Sequence, residues 1–373
     1  MTWQEHKTEM RLLALDIGGL TQDILLFDTS RAIENCVKMV MPSPTVILAN
    51  KIMAATKANR SLFLTGVNMG GGQSKKMLIN HIKAGLAAYA TAEAAATFDD
   101  DIDKIREWGV RIVEEGEKLQ NEEAQRIETR DLNLSAIERT LTAFDVDPHV
   151  DGIAAAVLDH GAAPVGISDR VFRFQHLEQM LKLRRELMAF AYLADEIPSY
   201  LTRMKALARS VEKPIPLLVM DTPIAAALGS LEDKEIRYRA HKVIINVGNF
   251  HTLAFHLEHA SVLGFWEHHT NLLTRDKVEN LVLRLVRGEL SHEDIYNDGG
   301  HGCLILEGRE VVPFVSVTGP QRALMSGSSL GPYFAAPHGD MMLTGCFGLV
   351  RAFALRVETW SKEMQTVLDK SLS

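Results

Sequence analysis

LALDIGGLTQDILLFD, residues Leu13–Asp28, is the stretch that decides the fold. Arg11–Ile17 is an apolar β-type run, Gly18-Gly19 interrupts it, and Thr21–Asp28 is a second run of strand formers, so the pair reads as a hairpin on a glycine turn. Such a turn gathers backbone N–H groups into one small volume, with glycine expected to supply positive φ, and phosphate is its natural occupant. Asp16 before the glycines and Thr21, Gln22 and Asp23 after them set carboxylates, which suit magnesium, beside donors, which suit phosphate oxygens.

Outward from this hairpin, Cys36–Met41 reads as a third strand, and Pro42-Ser-Pro44 opens a helix over Thr45–Lys57. Ser61–Thr65, a glycine loop at Gly70–Gly72 and a helix from about Lys75 to Lys83 begin an alternation that predicts a partly parallel sheet. Dense charge from Asp99 to Glu138 predicts a helical insertion, with Asp99–Asp101 as a solvated helix N-terminus. Gly152–Leu158, a long helix over about Leu177–Ala194, strand Pro216–Met220 and a small-residue helix Ile224–Leu231 follow. A second set starts at Lys242–Val247, pairs with Thr252–Leu257 across Gly248-Asn249, and continues through Ser261–Trp266 to a helix over Arg275–Arg287. The strand–glycine turn–strand unit therefore occurs twice, near Asp16 and near Asn246, as a duplication of architecture. The expected fold is α/β and two-lobed: an N-terminal lobe over 10–238 with an insertion at about 99–145, a C-terminal lobe over 239–340, and a helix over 341–373 returning to the first lobe.

The 373 residues carry 40 Lys+Arg and 48 Asp+Glu, and 40 − 48 = −8, with no basic cluster, which argues against a nucleic-acid footprint. Met1–Met10 lacks the pattern of a signal peptide and no apolar stretch is long enough to span a bilayer, so a cytoplasmic protein without membrane partners is expected. Cys36, Cys303 and Cys346 stand far apart, which excludes a disulfide framework and predicts a reducing compartment.

The first hairpin resembles the first phosphate motif of the actin/sugar kinase/Hsp70 (ASKHA) superfamily, and its D-x-G-G-x-T-x-D form is similar to that of hydantoinase A and 5-oxoprolinase. INVGNFHT at Ile245–Thr252 resembles the second phosphate motif, and VSVTGPQRAL at Val315–Leu324 resembles the adenosine motif. More narrowly, ENCVKMVMPSPT, GVNMGGG, LDHGAAPVG and YFAAPHGDMMLTGCFGL resemble a family labelled pyruvate formate-lyase activating enzyme. The superfamily resemblance implies a duplicated ribonuclease H-like, actin-like ATPase fold with ATP and Mg2+ between the lobes. It implies that Asp16, with Asp23, serves the metal, that Gly18, Gly19, Thr21 and Gln22 hold phosphates from one side, and that Asn246, Gly248, Asn249, His251 and Thr252 clamp from the other. Gly319 and Pro320 would admit the adenosine. Asn246 stands where the superfamily has an acid, and a neutral amide contributes no charge to a metal or base. The narrower label fails on residues, because a radical S-adenosylmethionine activase needs three closely spaced cysteines for its cluster.

Asp159 and His160 follow the strand Gly152–Leu158 at its carboxyl end, where open α/β sheets place ligands, and either is a candidate general base; Asp159 as a turn cap is the competing reading. Asp340 is expected as a helix N-cap with His338 as a possible ligand contact, and Gly70–Gly72 with Ser74 and Lys75 as an anion site or a plain loop. Eight of the 14 histidines fall between His241 and His301, but their spacing matches no closed zinc site and they read as exposed strand residues. Arg170 and Arg173 are read as pairing an anionic substrate or lying on a solvated strand face. The functional expectation is an ATP-dependent activator or phosphotransferase acting on a small substrate or protein partner, compatible with a homodimer. The alternatives are a hydantoinase/oxoprolinase-like hydrolase and a non-catalytic ligand sensor.

Overall fold

A computed structural model describes residues 9–117 and 123–371; most of the Met1–Met10 segment, and 118–122 of the charged stretch, lie outside the described residues. Three sheets organise the chain. The first has the order β3(Val37–Pro42)-β2(Thr21–Asp28)-β1(Arg11–Ile17)-β8(Gly152–Val157)-β10(Leu217–Met220)-β9(Tyr192–Leu193). The second has the order β14(Gly302–Ile305)-β13(Ser261–His269)-β12(His251–Glu258)-β11(His241–Val247)-β15(Phe314–Thr318)-β16(Tyr333–Phe334). In each, three antiparallel strands are followed by a parallel partner on the other side of the first strand: β1 pairs with β8, and β11 with β15. The duplication expected from the sequence is thus present in β1, β2, β3 and β8 and again in β11, β12, β13 and β15.

Side-chain alternation along β1 explains how the layers pack. Leu12 and Ala14 join a central core that also holds Ile244, Phe255 and Phe265 of the second sheet, whereas Leu13 and Leu15 face the opposite way into a core with Ile153 and Val219. Between the two sheets run helices Thr222–Ser230 and Thr344–Arg356, buried along nearly their whole length. Their axes approach so closely that a Cβ on Gly229 would overlap the Thr344 carbonyl oxygen, and one on Gly348 would overlap that of Ala225. This is the close crossing that the small-residue composition of the two helices predicts.

The third sheet, β6(Val110–Ile112)-β5(Ala88–Ala90)-β4(Leu62–Gly66)-β7(Gln125–Thr129), is parallel and has its own core around Leu48, Leu64, Leu78 and Ile127. It corrects the expectation of a charged helical insertion at 99–145. β6 and β7 fall inside that stretch, and both are short, with exposed charged residues masking their buried positions. Asp101 does cap the helix Ile102–Glu107, accepting from the Asp103 and Lys104 amides at 3.0 and 3.4 Å.

Two further readings change. Arg170 and Arg173 lie on a helix, Asp169–Leu183, rather than a strand, and Arg173 is buried. Gly18, Gly19 and Gly248 are not in the positive-φ region. What the turns require is close approach: a Cβ on Gly18 would sit 3.2 Å from the Thr21 carbonyl oxygen, and one on Gly248 2.6 Å from that of His251.

Candidate functional site

The two hairpins end in matching turns. Gly18 N–H donates to the Thr21 carbonyl at 2.9 Å, and Gly248 N–H to the His251 carbonyl at 3.0 Å, so Asp16 and Asn246, Gly19 and Asn249, and Thr21 and His251 occupy equivalent positions. The turns face one another across a cleft of about 700 Å3, where a Cβ on Gly19 would overlap the ring of Phe250. Gly18, Gly19, Thr21, Asp16 and Asp23 line one side of this cleft; Asn246, Gly248, Asn249, His251, Gly319 and Pro320 line the other. Gly319, at φ +98°, follows β15 where a Cβ would fall 2.6 Å from Asn246 Oδ1, so only glycine permits this turn against the second hairpin.

Not every predicted residue reaches the cleft. Gln22 turns away and donates to the Pro42 carbonyl at 2.9 Å. Thr252 is buried behind its turn, hydrogen-bonded at 3.0 Å to Thr270, whose hydroxyl braces the Gly248 carbonyl at 2.8 Å. Asp159 accepts from the Gly161 amide at 2.8 Å with one carboxylate oxygen and from the Met204 amide at 2.9 Å with the other. Both oxygens are committed to the backbone, so the turn-capping reading describes Asp159 and leaves it unsuited to collect a substrate proton. His160, beside it, does line the cleft. His338 bonds Ser371 at 2.6 Å, and Asp340 accepts from the Met342 amide at 3.0 Å instead of capping the following helix. Gly70–Gly72 do line the cleft, but Ser74 donates to the Gly71 carbonyl and Lys75 pairs with Asp99 at 3.1 Å, which takes both from anion binding.

Asp16 and Asp23 are cross-strand neighbours in the β1–β2 ladder, each 8 % exposed, and one oxygen of each is buried without a hydrogen-bond partner. Burial, with the Asp23 charge adding to it, pushes the Asp16 carboxyl well above the usual carboxylate range, and burial pushes Asp23 up to about 7. Paired, under-coordinated carboxylates facing a cleft fit a hard divalent cation with oxygen ligands, so the residues present suit the magnesium that the fold implies. Gly345 begins the buried helix directly over Asp16, where a Cβ would overlap its Oδ2.

Sequence reasoning missed a buried ionic relay behind the second hairpin turn. Arg173 grips Asp221 with two bonds of 2.7 and 2.9 Å and Glu267 at 3.0 and 3.1 Å, and Glu267 accepts from His251 at 3.0 Å. Burial opposes ionisation of Glu267, yet Arg173 holds its carboxyl well below the usual range. His301, fully buried, completes a group with His160 and His251. The expectation of exposed strand histidines is therefore wrong for His256, His268 and His301, all of which are buried.

The duplicated β1–β2–β3–β8 and β11–β12–β13–β15 units, joined by two crossed helices over a shared cleft, form a two-lobed, ribonuclease H-like α/β fold. Residues 69–324 match the family model described as "Putative pyruvate format-lyase activating enzyme (DUF1786)", more than half of the chain, and the chain belongs to this family. Cys36, Cys303 and Cys346 are separately buried, and no group of three metal-binding side chains that includes a cysteine occurs among the described residues.

No curated protein matches the sequence. Among solved structures, the ethanolamine utilization protein EutJ from Carboxydothermus hydrogenoformans aligns at 11 % identity and TM-score 0.34 over 91 % of this chain and 88 % of that one. The inorganic polyphosphate/ATP-glucomannokinase from Arthrobacter sp. strain KM aligns at 12 % identity and TM-score 0.33 over 94 % and 99 %. A Ppx/GppA family member from Aquifex aeolicus aligns at 9 % identity and TM-score 0.28 over 83 % and 66 %. No helix among the described residues is long and apolar enough to cross a membrane.

Proposed function

We propose that the protein binds ATP with magnesium in the interlobe cleft and couples that binding to lobe closure, as an ATP-dependent activator or phosphotransferase. The observation that carries this reading is the facing of two equivalent hairpin turns, Gly18–Thr21 and Gly248–His251, across one cleft. The first turn presents glycine backbone and Thr21 to the phosphates, and the second closes on them with Gly248 and Asn249. Gly319 and Pro320 let a flat base approach the main chain beside Asn246. A magnesium ion held by Asp16 and Asp23 would supply the positive charge that a polyphosphate and two buried carboxylates lack. The Gly229–Gly348 crossing is the pivot about which the two sheets would close.

Asn246 favours a second reading, a nucleotide sensor without turnover, because the second turn offers a neutral amide where a carboxylate would orient water or metal. Phosphate release from ATP separates the two. An activator or phosphotransferase gives a rate, raised by its partner or acceptor, that Asp16→Ala abolishes. A sensor gives none with any hydroxy acid, sugar or cyclic amide, although it binds a fluorescent ATP analogue. If that analogue is not bound, both readings fail.

A further inference from the structure

The histidines gathered beside the second hairpin turn come from three separate segments. His160 follows β8 in the first lobe, His251 closes the second hairpin, and His301 leads into β14. One ring nitrogen from each lies within 4.8 Å of the others. His251 and His301 rings are 4.8 Å apart, and His160 lies 5.7 Å from both. His269 stands at the rim, 5.0 Å from His251 and 4.9 Å from His301.

From this constellation we infer that His160, His251 and His301 bind a divalent transition-metal ion of the zinc type, with one coordination position open to the interlobe cleft.

Two geometric features support it. His301 is fully buried, and neither of its ring nitrogens has a hydrogen-bond partner, a deficit that coordination to a metal ion would meet. His251 is oriented as a ligating imidazole would be: its Nδ1 hydrogen goes to the buried Glu267 carboxylate, which leaves Nε2 as a lone-pair donor. Glu267 is in turn fixed by Arg173 and Asp221, so the carboxylate–histidine support is built into the core.

Ligand type selects the ion. Three imidazoles without oxygen ligands suit zinc, cobalt or a similar borderline ion rather than magnesium or calcium. At zinc–nitrogen bonds of about 2.0–2.1 Å, tetrahedral ligand atoms sit about 3.3 Å apart, so nitrogens that now lie within 4.8 Å of one another need to close by up to about 1.5 Å. Three protein ligands with an open fourth position is the arrangement of catalytic rather than structural zinc. His160 and His251 line the cleft, so an anion or water held there would complete the coordination sphere. Because His160 belongs to the first lobe and the other two to the second, the ion would also tie closure of the cleft to metal occupancy. The inference does not rest on nucleotide binding, and the two can fail separately.

The test uses the full-length protein, stripped with a chelator and titrated with Co2+ and Zn2+ in the absence of nucleotide. One ion per chain, with the intense visible ligand-field bands of tetrahedral cobalt, is expected. His251→Ala and His301→Ala each lower affinity at least about 100-fold, and Glu267→Gln lowers it about 10- to 100-fold while retaining a tetrahedral spectrum. His256→Ala removes another buried, unpartnered histidine outside the cluster and leaves affinity unchanged. Absence of stoichiometric binding by the wild type overturns the inference, as does an unchanged spectrum in a folded His251→Ala, His301→Ala double variant. If the variants do not fold, the wild-type stoichiometry and spectrum decide by themselves.

Discussion

Asp16 and Asp23 face each other across the β1–β2 ladder at the lip of the cleft, each with one buried oxygen that nothing in the protein satisfies. Burial of the two carboxyls makes the unliganded protein sensitive to pH. Asp23 has a folded pKa of about 7 against an ordinary 3.8, so the folded state holds more protons than the unfolded one between these values. Stability from this group is therefore present below about pH 4 and is lost as pH rises towards 7. Relative to Asp23→Asn, the wild type is expected to lose about 1–3 kcal/mol between pH 4 and 7 and nothing further above. Denaturant unfolding of both proteins across that range checks it. Saturating magnesium reduces the difference at pH 7.5, since a cation favours the ionised pair.

Gly229 lies against the Thr344 carbonyl where the two buried helices cross. The obstacle to a side chain is main chain rather than a movable rotamer, so Gly229→Ala is expected to cost about 3 kcal/mol or more. Urea unfolding measures this directly. A change below about 0.5 kcal/mol would show that the helices are not packed as described.

Arg173 joins Asp221, at the end of the first sheet, to Glu267 in the second. Arg173→Met leaves two buried carboxylates facing each other and is expected to cost about 3–5 kcal/mol at neutral pH. Arg173→Met together with Asp221→Asn and Glu267→Gln recovers most of that loss. Unfolding midpoints of the single and triple variants, at matched denaturant slopes, distinguish a charge effect from lost packing.

What was legible in the sequence was local. The hairpins at Gly18 and Gly248 could be read because turn and strands occupy consecutive residues. The Arg173 relay could not, since its partners lie 48 and 94 residues away in the sequence. The histidine group escaped for the same reason: no short spacing joins His160, His251 and His301. Asp159 misled because its strand-end position suggests chemistry, while the Met204 amide that captures it comes from a distant helix. The third sheet was obscured by strands of three residues, too short to show alternation.

The claim that organises all of this is nucleotide binding between the facing turns. Calorimetric titration of the full-length protein with a non-hydrolysable ATP analogue, with and without magnesium, tests it most directly. One site per chain is predicted, tighter with magnesium and lost in the Asp16→Ala, Gly18→Asp double variant. No binding by the wild type, or equal binding by that variant while it remains folded, would contradict it.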